Sequence, residues 1–324
     1  MEPFDPEIVK GLTALGMPWE NCLVPHAGDF ELLALLRSQP MPPYDPTPAR
    51  GVSREDLAIP RADGGGEIPI RIFRRTASDS FTPAHGLLWM HGGGYIIGSQ
   101  DEDAAMLDRI VLSTDCVAVS VEPRLAPETP YPGPFDDCHA AFVFVLSHAG
   151  EIGVDASHLV VGGCSSGAGI AAGLALLARD HDIALVHQHL RYPMLDDTQT
   201  NPSCRWEDPV WSAAMNTLAW KAYLGDVYGT DVVPAYAAPT RAHDLSGLAP
   251  AYIHVGARDR FLQEALDYAS RLMNAGVPVE LHVLPNAPHA FDIVAPCAPV
   301  SKAALALSEA ALGRALTRAR PARS

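Results

Sequence analysis

Apolar residues recur along this chain in two rhythms. Short apolar runs at 86–90, 116–121, 159–161, 185–190, 251–255 and 279–284 predict buried strands. Between and after them, 103–113, 134–148, 167–179, 261–274 and 302–318 carry apolar residues at helical spacing. Strand and helix in turn predict an α/β fold, a mostly parallel central sheet with helices on both faces. Ahead of this, Glu67-Ile68-Pro69-Ile70-Arg71-Ile72-Phe73 alternates and Asp63-Gly64-Gly65-Gly66 supplies a turn, so 53–74 predicts a β-hairpin. Earlier still, Ile8, Val9, Leu12 and Leu15, then an apolar cluster at 30–36, predict a helical N-terminal segment. Gln39-Pro40-Met41-Pro42-Pro43-Tyr44-Asp45-Pro46 ends it, because proline removes donors and restricts the residue before it; this stretch reads as a stiff linker.

The stretch 201–236 breaks the alternation. It holds Trp206, Trp211, Met215, Trp220, Tyr223 and Tyr228 and shows no clear strand. It predicts a helical insertion above the sheet. Ligand crevices lie at the carboxyl ends of strands, so a lid is favoured over a surface excursion. The expected organisation is a cap segment and linker over 1–50 and a catalytic domain over 51–324, with the cap insertion at about 201–236.

Composition narrows the function. Of 324 residues, 48% are hydrophobic, enough for a large core, and the formal net charge is −15. An acidic surface argues against nucleic acid and anionic membranes as partners. No basic n-region with an apolar core opens the chain, and no apolar run is long enough to span a bilayer. The six cysteines are scattered without a C-x-x-C, so no zinc site or disulfide framework is indicated, and reduced thiols in a cytoplasmic protein are expected. The thirteen histidines form no recognisable metal-ligand pattern, so no metal is expected.

Two motifs carry chemistry. Gly163-Cys164-Ser165-Ser166-Gly167 matches G-x-S-x-G, the sharp turn that exposes a nucleophilic serine between a strand and a helix. Ser165 falls on such a turn; Ser166 fails the same test because position 164 is Cys. His91-Gly92-Gly93-Gly94-Tyr95 follows the run 86–90 and can present bare backbone N–H groups to an oxyanion. Gly93 and Gly94 are the candidate donors with the N–H of Ser166; His91 and Gly92 support the loop. His289, beyond the last predicted strand, is the candidate base. His254 and His282 are rivals, but both lie inside predicted strands. Asp259, after 251–255, is the candidate orienter, with helix capping as its competing role; Asp292 is a weaker alternative, close in sequence to His289. The order Ser165, Asp259, His289 is that of the α/β-hydrolases.

These motifs, with Arg124-Leu125-Ala126-Pro127-Glu128, Tyr192-Pro193-Met194-Leu195-Asp196-Asp197 and Asp244-Leu245-Ser246-Gly247-Leu248, resemble the bacterial hormone-sensitive-lipase-like (family IV) carboxylesterases, from about Leu57 to Phe291. The resemblance implies an α/β-hydrolase fold, the Ser165/Asp259/His289 triad, and an oxyanion hole of Gly93, Gly94 and Ser166. It also implies a cap built from the N-terminal segment and the insertion. It further implies hydrolysis of short- to medium-chain small-molecule esters without a cofactor, and it leaves a homodimer open. Five positions depart from the family's usual residues: Pro123 for Tyr, Cys164 for Asp or Glu, Ser166 for Ala, Ala168 for Gly and Ala290 for Gly. None removes a side chain the chemistry needs. Cys164 beside the nucleophile raises the expectation of sensitivity to thiol reagents, against which stands an inert buried thiol.

Two other functions fit the fold: a non-hydrolytic ligand-binding receptor and a dehydratase. A receptor would tolerate loss of the histidine that is present here. A dehydratase keeps the same groups and is separated only by assay. A dehydrogenase is disfavoured, since the turn at 162–167 does not match G-x-G-x-x-G.

Overall fold

The computed structural model describes residues 4–15, 29–38, 45–76 and 83–317. Two helices open it, α1 (Pro6–Ala14) and α2 (Asp29–Ser38). Asp5 begins α1 by accepting the Glu7 N–H at 2.8 Å, and Ile8 and Leu12 are its buried face. The hairpin of β1 (Val52–Pro60) and β2 (Glu67–Arg75) follows. Then come β3 (Ala84–Met90), α3 (Ala104–Thr114), β4 (Val117–Val121), α4 (Gly133–Ser147), α5 (Ala149–Ile152), β5 (Val154–Cys164), α6 (Ser166–Asp180) and β6 (His187–Arg191). After the insertion run β7 (Ala251–Gly256), α8 (Leu262–Asn274), β8 (Val279–Leu284), α9 (Phe291–Val294) and α10 (Pro299–Thr317).

One eight-stranded sheet results, in the order β1-β2-β4-β3-β5-β6-β7-β8. β1 and β2 pair antiparallel, as do β2 and β4; every other pair is parallel. β3, β4 and β5 hold the centre. Leu87, Leu88, Trp89, Val119, Val160 and Val161 are fully or almost fully buried. Burial on both faces is why these strands read as continuous apolar runs rather than alternating ones.

β8, expected to be buried, is only partly so with Val283 exposed, because it is the edge strand with a neighbour on one side alone. The described elements differ from expectation in one further way. β5 begins at Val154 rather than 159, because Val154 and Asp155 pair with Ala84 and His85 beyond an irregularity in the ladder. Polar Asp155, Ser157 and His158 mask that extension in the sequence. The insertion holds a single α-helix, α7 (Ala213–Leu224), flanked by 3₁₀ turns at Pro202–Arg205 and Gly225–Val227. α7 and the two 3₁₀ turns together cover about half of 201–236, as expected of a helical insertion, and the rest is irregular chain. Residues 39–44 of the proline-rich linker lie outside the described residues. α2 packs on α7, whereas α1 packs on α9. Arg37, near the end of α2, donates to the carbonyls of Ile96 and Ala126 and to both oxygens of Glu128. No helix among the described residues is long and apolar enough to cross a membrane.

Candidate active site

A parallel sheet delivers the loops after its strands to one edge. Ser165 follows β5, Asp259 follows β7 and His289 follows β8, so all three meet there. Ser165 sits at φ 54°, ψ −120°, a strained conformation that turns its side chain out between strand and helix. The turn is tight enough that a Cβ on Gly167 would lie 2.2 Å from the Met90 carbonyl oxygen. Strain is held in place by the Ser165 N–H, which donates to Arg191 O at 2.9 Å, and its carbonyl, which accepts from Met194 N–H at 3.0 Å.

His289 Nε2 lies 3.0 Å from Ser165 Oγ, and Nδ1 lies 2.9 Å from Asp259 Oδ2. A carboxylate only accepts, so Nδ1 carries the proton and Nε2 presents its lone pair to the hydroxyl. The second Asp259 oxygen accepts the Phe261 N–H at 2.8 Å, so Asp259 orders the start of α8 as well as the imidazole. The rings of Tyr192 and Phe261 stand edge-on to His289 with centroids 5.0 and 4.8 Å away. Ser165, Asp259 and His289 are 5%, 0% and 3% exposed, so the three are covered. Burial works against an imidazolium, but Asp259, with help from Asp208, outweighs it and holds the His289 pKa above its usual value.

The glycine loop follows β3 and lies alongside. Gly93 has φ 109°, and a Cβ there would sit 2.1 Å from the Ile97 carbonyl oxygen. Gly94 has φ 59°, and a Cβ there would overlap the Trp211 ring. Gly92 approaches Cys164 and Ser165 so closely that a Cβ on it would be 3.4 Å from the Ser165 Cβ. Ser166 opens α6, where an N–H has no helical acceptor. His91 is buried, with Nδ1 2.6 Å from the Gly92 carbonyl oxygen. The geometry brings Ser165, His289 and Asp259 together and runs the glycine loop past Ser165 at Gly92.

The rivals sit elsewhere. His254 is buried beside the Tyr252 hydroxyl, and His282 faces Glu280. Asp292 pairs with Arg191 and accepts from the Tyr192 hydroxyl at 2.9 Å, so it orders the floor of the site and not the imidazole directly. Cys164 is 2% exposed, and burial, then Asp103, pushes its thiol well above its ordinary pKa. The expected sensitivity to thiol reagents is thus at odds with the structure, since a neutral, covered thiol is a poor nucleophile. A cavity of about 430 Å³, lined among others by Asp196, Arg241 and Glu264, lies beside α8 away from the triad. No cluster of three His, Cys, Asp or Glu suited to a metal occurs among the described residues.

Sequence reasoning missed two contributors, Asp208 and Arg260, and placed a third, Trp211, only among the aromatic residues of the expected lid. Asp208 accepts the backbone N–H of His289; Trp211 covers Gly94; Arg260 grips the insertion's backbone. None belongs to a motif. The signals for them were the adjacency of Arg260 to Asp259 and, for Trp211, the aromatic content of the insertion.

An α/β-hydrolase fold family model matches residues 87–293, which span the glycine loop and all three triad positions. The chain belongs to that family. It is 35% identical over 240 residues to the esterase LipI of Mycobacterium tuberculosis, covering 73% of this chain and 74% of LipI. It is 35% identical over 259 residues to the carboxylesterase NlhH of the same species, covering 78% and 80%. The solved structure of a bacterial heroin esterase superposes with a TM-score of 0.83 at 36% identity, over 97% of this chain and 98% of that one. Membership accounts for the serine turn and for the order of the three residues. Asp208 lies within the matched residues, and its role is read from the structure.

Proposed function

We propose that this chain is a serine carboxylesterase acting on short- to medium-chain esters through an acyl-enzyme on Ser165. The fold family and relatives named as esterases support ester hydrolysis. The observation that carries the mechanism is the continuous line from Asp259 through His289 to Ser165, with bonds of 2.9 and 3.0 Å.

In this mechanism Ser165 Oγ attacks the ester carbonyl carbon while its proton passes to His289 Nε2. Asp259 stabilises the resulting imidazolium. The carbonyl oxygen becomes an oxyanion, received by the N–H groups of Gly93, Gly94 and Ser166. The bond to the alcohol oxygen breaks, and the alcohol leaves with the proton from His289. Water then attacks the acyl-enzyme, giving a proton to His289; the acid departs and Ser165 recovers its hydrogen. The acidic surface suits neutral esters better than polyanions. We assign the cap to α2 and the insertion, because α2 packs on α7 and Trp211 lies over the glycine loop.

Ser165→Ala tests this directly. With p-nitrophenyl butyrate, the native chain should release nitrophenol, and the variant should lose turnover while keeping its melting temperature. Undiminished turnover in the variant would refute the assignment. Dehydration of a hydroxylated substrate without ester cleavage would favour the dehydratase, and ligand-dependent thermal stabilisation without turnover the receptor.

A further inference from the structure

We propose that Asp208, carried by the insertion and not by the hydrolase core, is a positioning residue of the catalytic centre: its carboxylate holds the His289 loop against Ser165 and places a second negative charge beside the imidazole. This rests on the acyl-enzyme reading above and adds a residue to it.

Asp208 is 2% exposed, and its carboxylate accepts three backbone N–H groups. Oδ2 takes that of His289 at 2.8 Å; Oδ1 takes those of Val210 at 2.9 Å and Trp211 at 3.1 Å. One oxygen therefore serves the core loop and the other serves the insertion. A single carboxylate bridges two segments 81 residues apart.

The same strap is tied down a second time. Arg260, directly after Asp259 and 1% exposed, donates to the carbonyls of Trp211 at 2.6 Å, Cys204 at 3.0 Å and Trp206 at 2.7 Å. Trp211, so fixed, lies against Gly94. Residues 204–211 thus touch the histidine loop, the aspartate turn and the glycine loop together. A strut that served only folding would have no need to end on all three.

The charges explain why a carboxylate stands at 208. Asp259, Asp208 and Arg260 act on His289, and Asp259 and His289 act on Asp208; Glu264 of α8, whose carboxyl pKa burial holds well above its usual value, acts on Asp259 and Arg260 and is left out of the count that follows. Two carboxylates and one guanidinium sum to one negative charge while the imidazole is neutral. When His289 takes the Ser165 proton, the cluster becomes neutral. A buried cluster that loses net charge as the imidazolium forms favours that step electrostatically. Burial, then the neighbouring Asp259, raises the Asp208 pKa, which is the cost of holding two carboxylates together.

The test is the pH profile of kcat/KM for p-nitrophenyl butyrate in the native chain and in Asp208→Asn, Asp208→Ser and Asp208→Glu. The acid limb reports the free-enzyme histidine. Removing the charge should move that limb down by about one pH unit and lower kcat about tenfold with a smaller effect on KM. Asp208→Glu should restore the limb. Serine offers an acceptor without forcing a second donor against the three N–H groups, so it serves if the asparagine variant does not fold. Titration of the downfield Nδ1 proton of His289 by nuclear magnetic resonance reads the same shift without substrate. A folded, neutral variant whose histidine titrates as in the native chain would overturn the proposal, leaving Asp208 a purely structural bridge. Absence of turnover in the native chain would instead overturn the esterase reading, and the resonance titration would still judge Asp208.

Discussion

Gly94 and Trp211 form a contact between the glycine loop and the insertion, and it can be tested in both directions. In Gly94→Ala the new methyl would lie 2.3 and 2.4 Å from two Trp211 ring carbons and 3.2 Å from the Ala219 Cβ. The backbone itself tolerates alanine poorly, since φ is 59°; that conformation costs an L-residue about 1–2 kcal/mol. The ring cannot simply swing away. Its Nε1 donates to Asn216 Oδ1 at 3.1 Å, and its backbone carbonyl accepts from Arg260. Moving it forfeits about 1 kcal/mol for the hydrogen bond and about 1–3 kcal/mol for the forced repacking. If the loop holds, the variant loses about 3–6 kcal/mol of stability from these sources. If the loop yields, Gly94 leaves the oxyanion and kcat falls by about 10²–10³.

Trp211→Ala separates the two causes. Alone it opens a cavity and costs about 3–5 kcal/mol, because the ring is 5% exposed. Combined with Gly94→Ala it removes the overlap, so the double variant should be more stable than additivity predicts by about 1–3 kcal/mol. Urea unfolding of the four proteins and kcat on p-nitrophenyl butyrate measure both quantities. Losses that simply add in stability and in rate would show that the ring does not press on the loop, and the cap assignment built on that contact would fail.

Two further outcomes follow from buried groups around the site. Burial opposes ionisation of Asp292, yet Arg191 holds its pKa below the usual carboxylate value; this pair therefore stabilises the fold above about pH 4 and loses its contribution as pH falls through the lower folded value. Asp292→Ala should cost about 3–5 kcal/mol at pH 7, and its deficit in thermal unfolding should shrink towards pH 3; a deficit constant with pH would contradict the ion pair. Exhaustive alkylation of the native protein should modify exposed Cys297 and spare Cys164, with activity retained; mass-spectrometric modification of Cys164 in step with inactivation would reverse that reading.

What the sequence disclosed about the site follows from how the fold is wired. Ser165 and Asp259 stand just after buried strands and His289 after the half-buried edge strand β8, and in a parallel sheet every such loop opens on the same edge. Apolar runs alone therefore place three distant residues within reach of one another, and the residue types name the chemistry. The strands were legible because Leu88, Val119 and Val161 must be apolar on both faces. The insertion was legible as an aromatic, helical interruption above the sheet, but not in its bonds to the site. Its order comes from side chains that take up backbone groups across long separations, as Asp208 and Arg260 do, and no local periodicity records such bonds. The insertion is helical at α7 and in two 3₁₀ turns, and the irregular chain between them is tied by those two residues. The same physics decides between the two readings of Cys164: exposure, unlike position in a motif, is set by what packs against it, and Asp103 and the glycine loop at Gly92 lie against its sulfur. The core thus supplies the reacting groups through topology, while the insertion supplies their cover and a share of their charge through individual bonds. Changes to the strap over 204–211 should therefore alter rate and pH dependence even where they leave Ser165, His289 and Asp259 untouched.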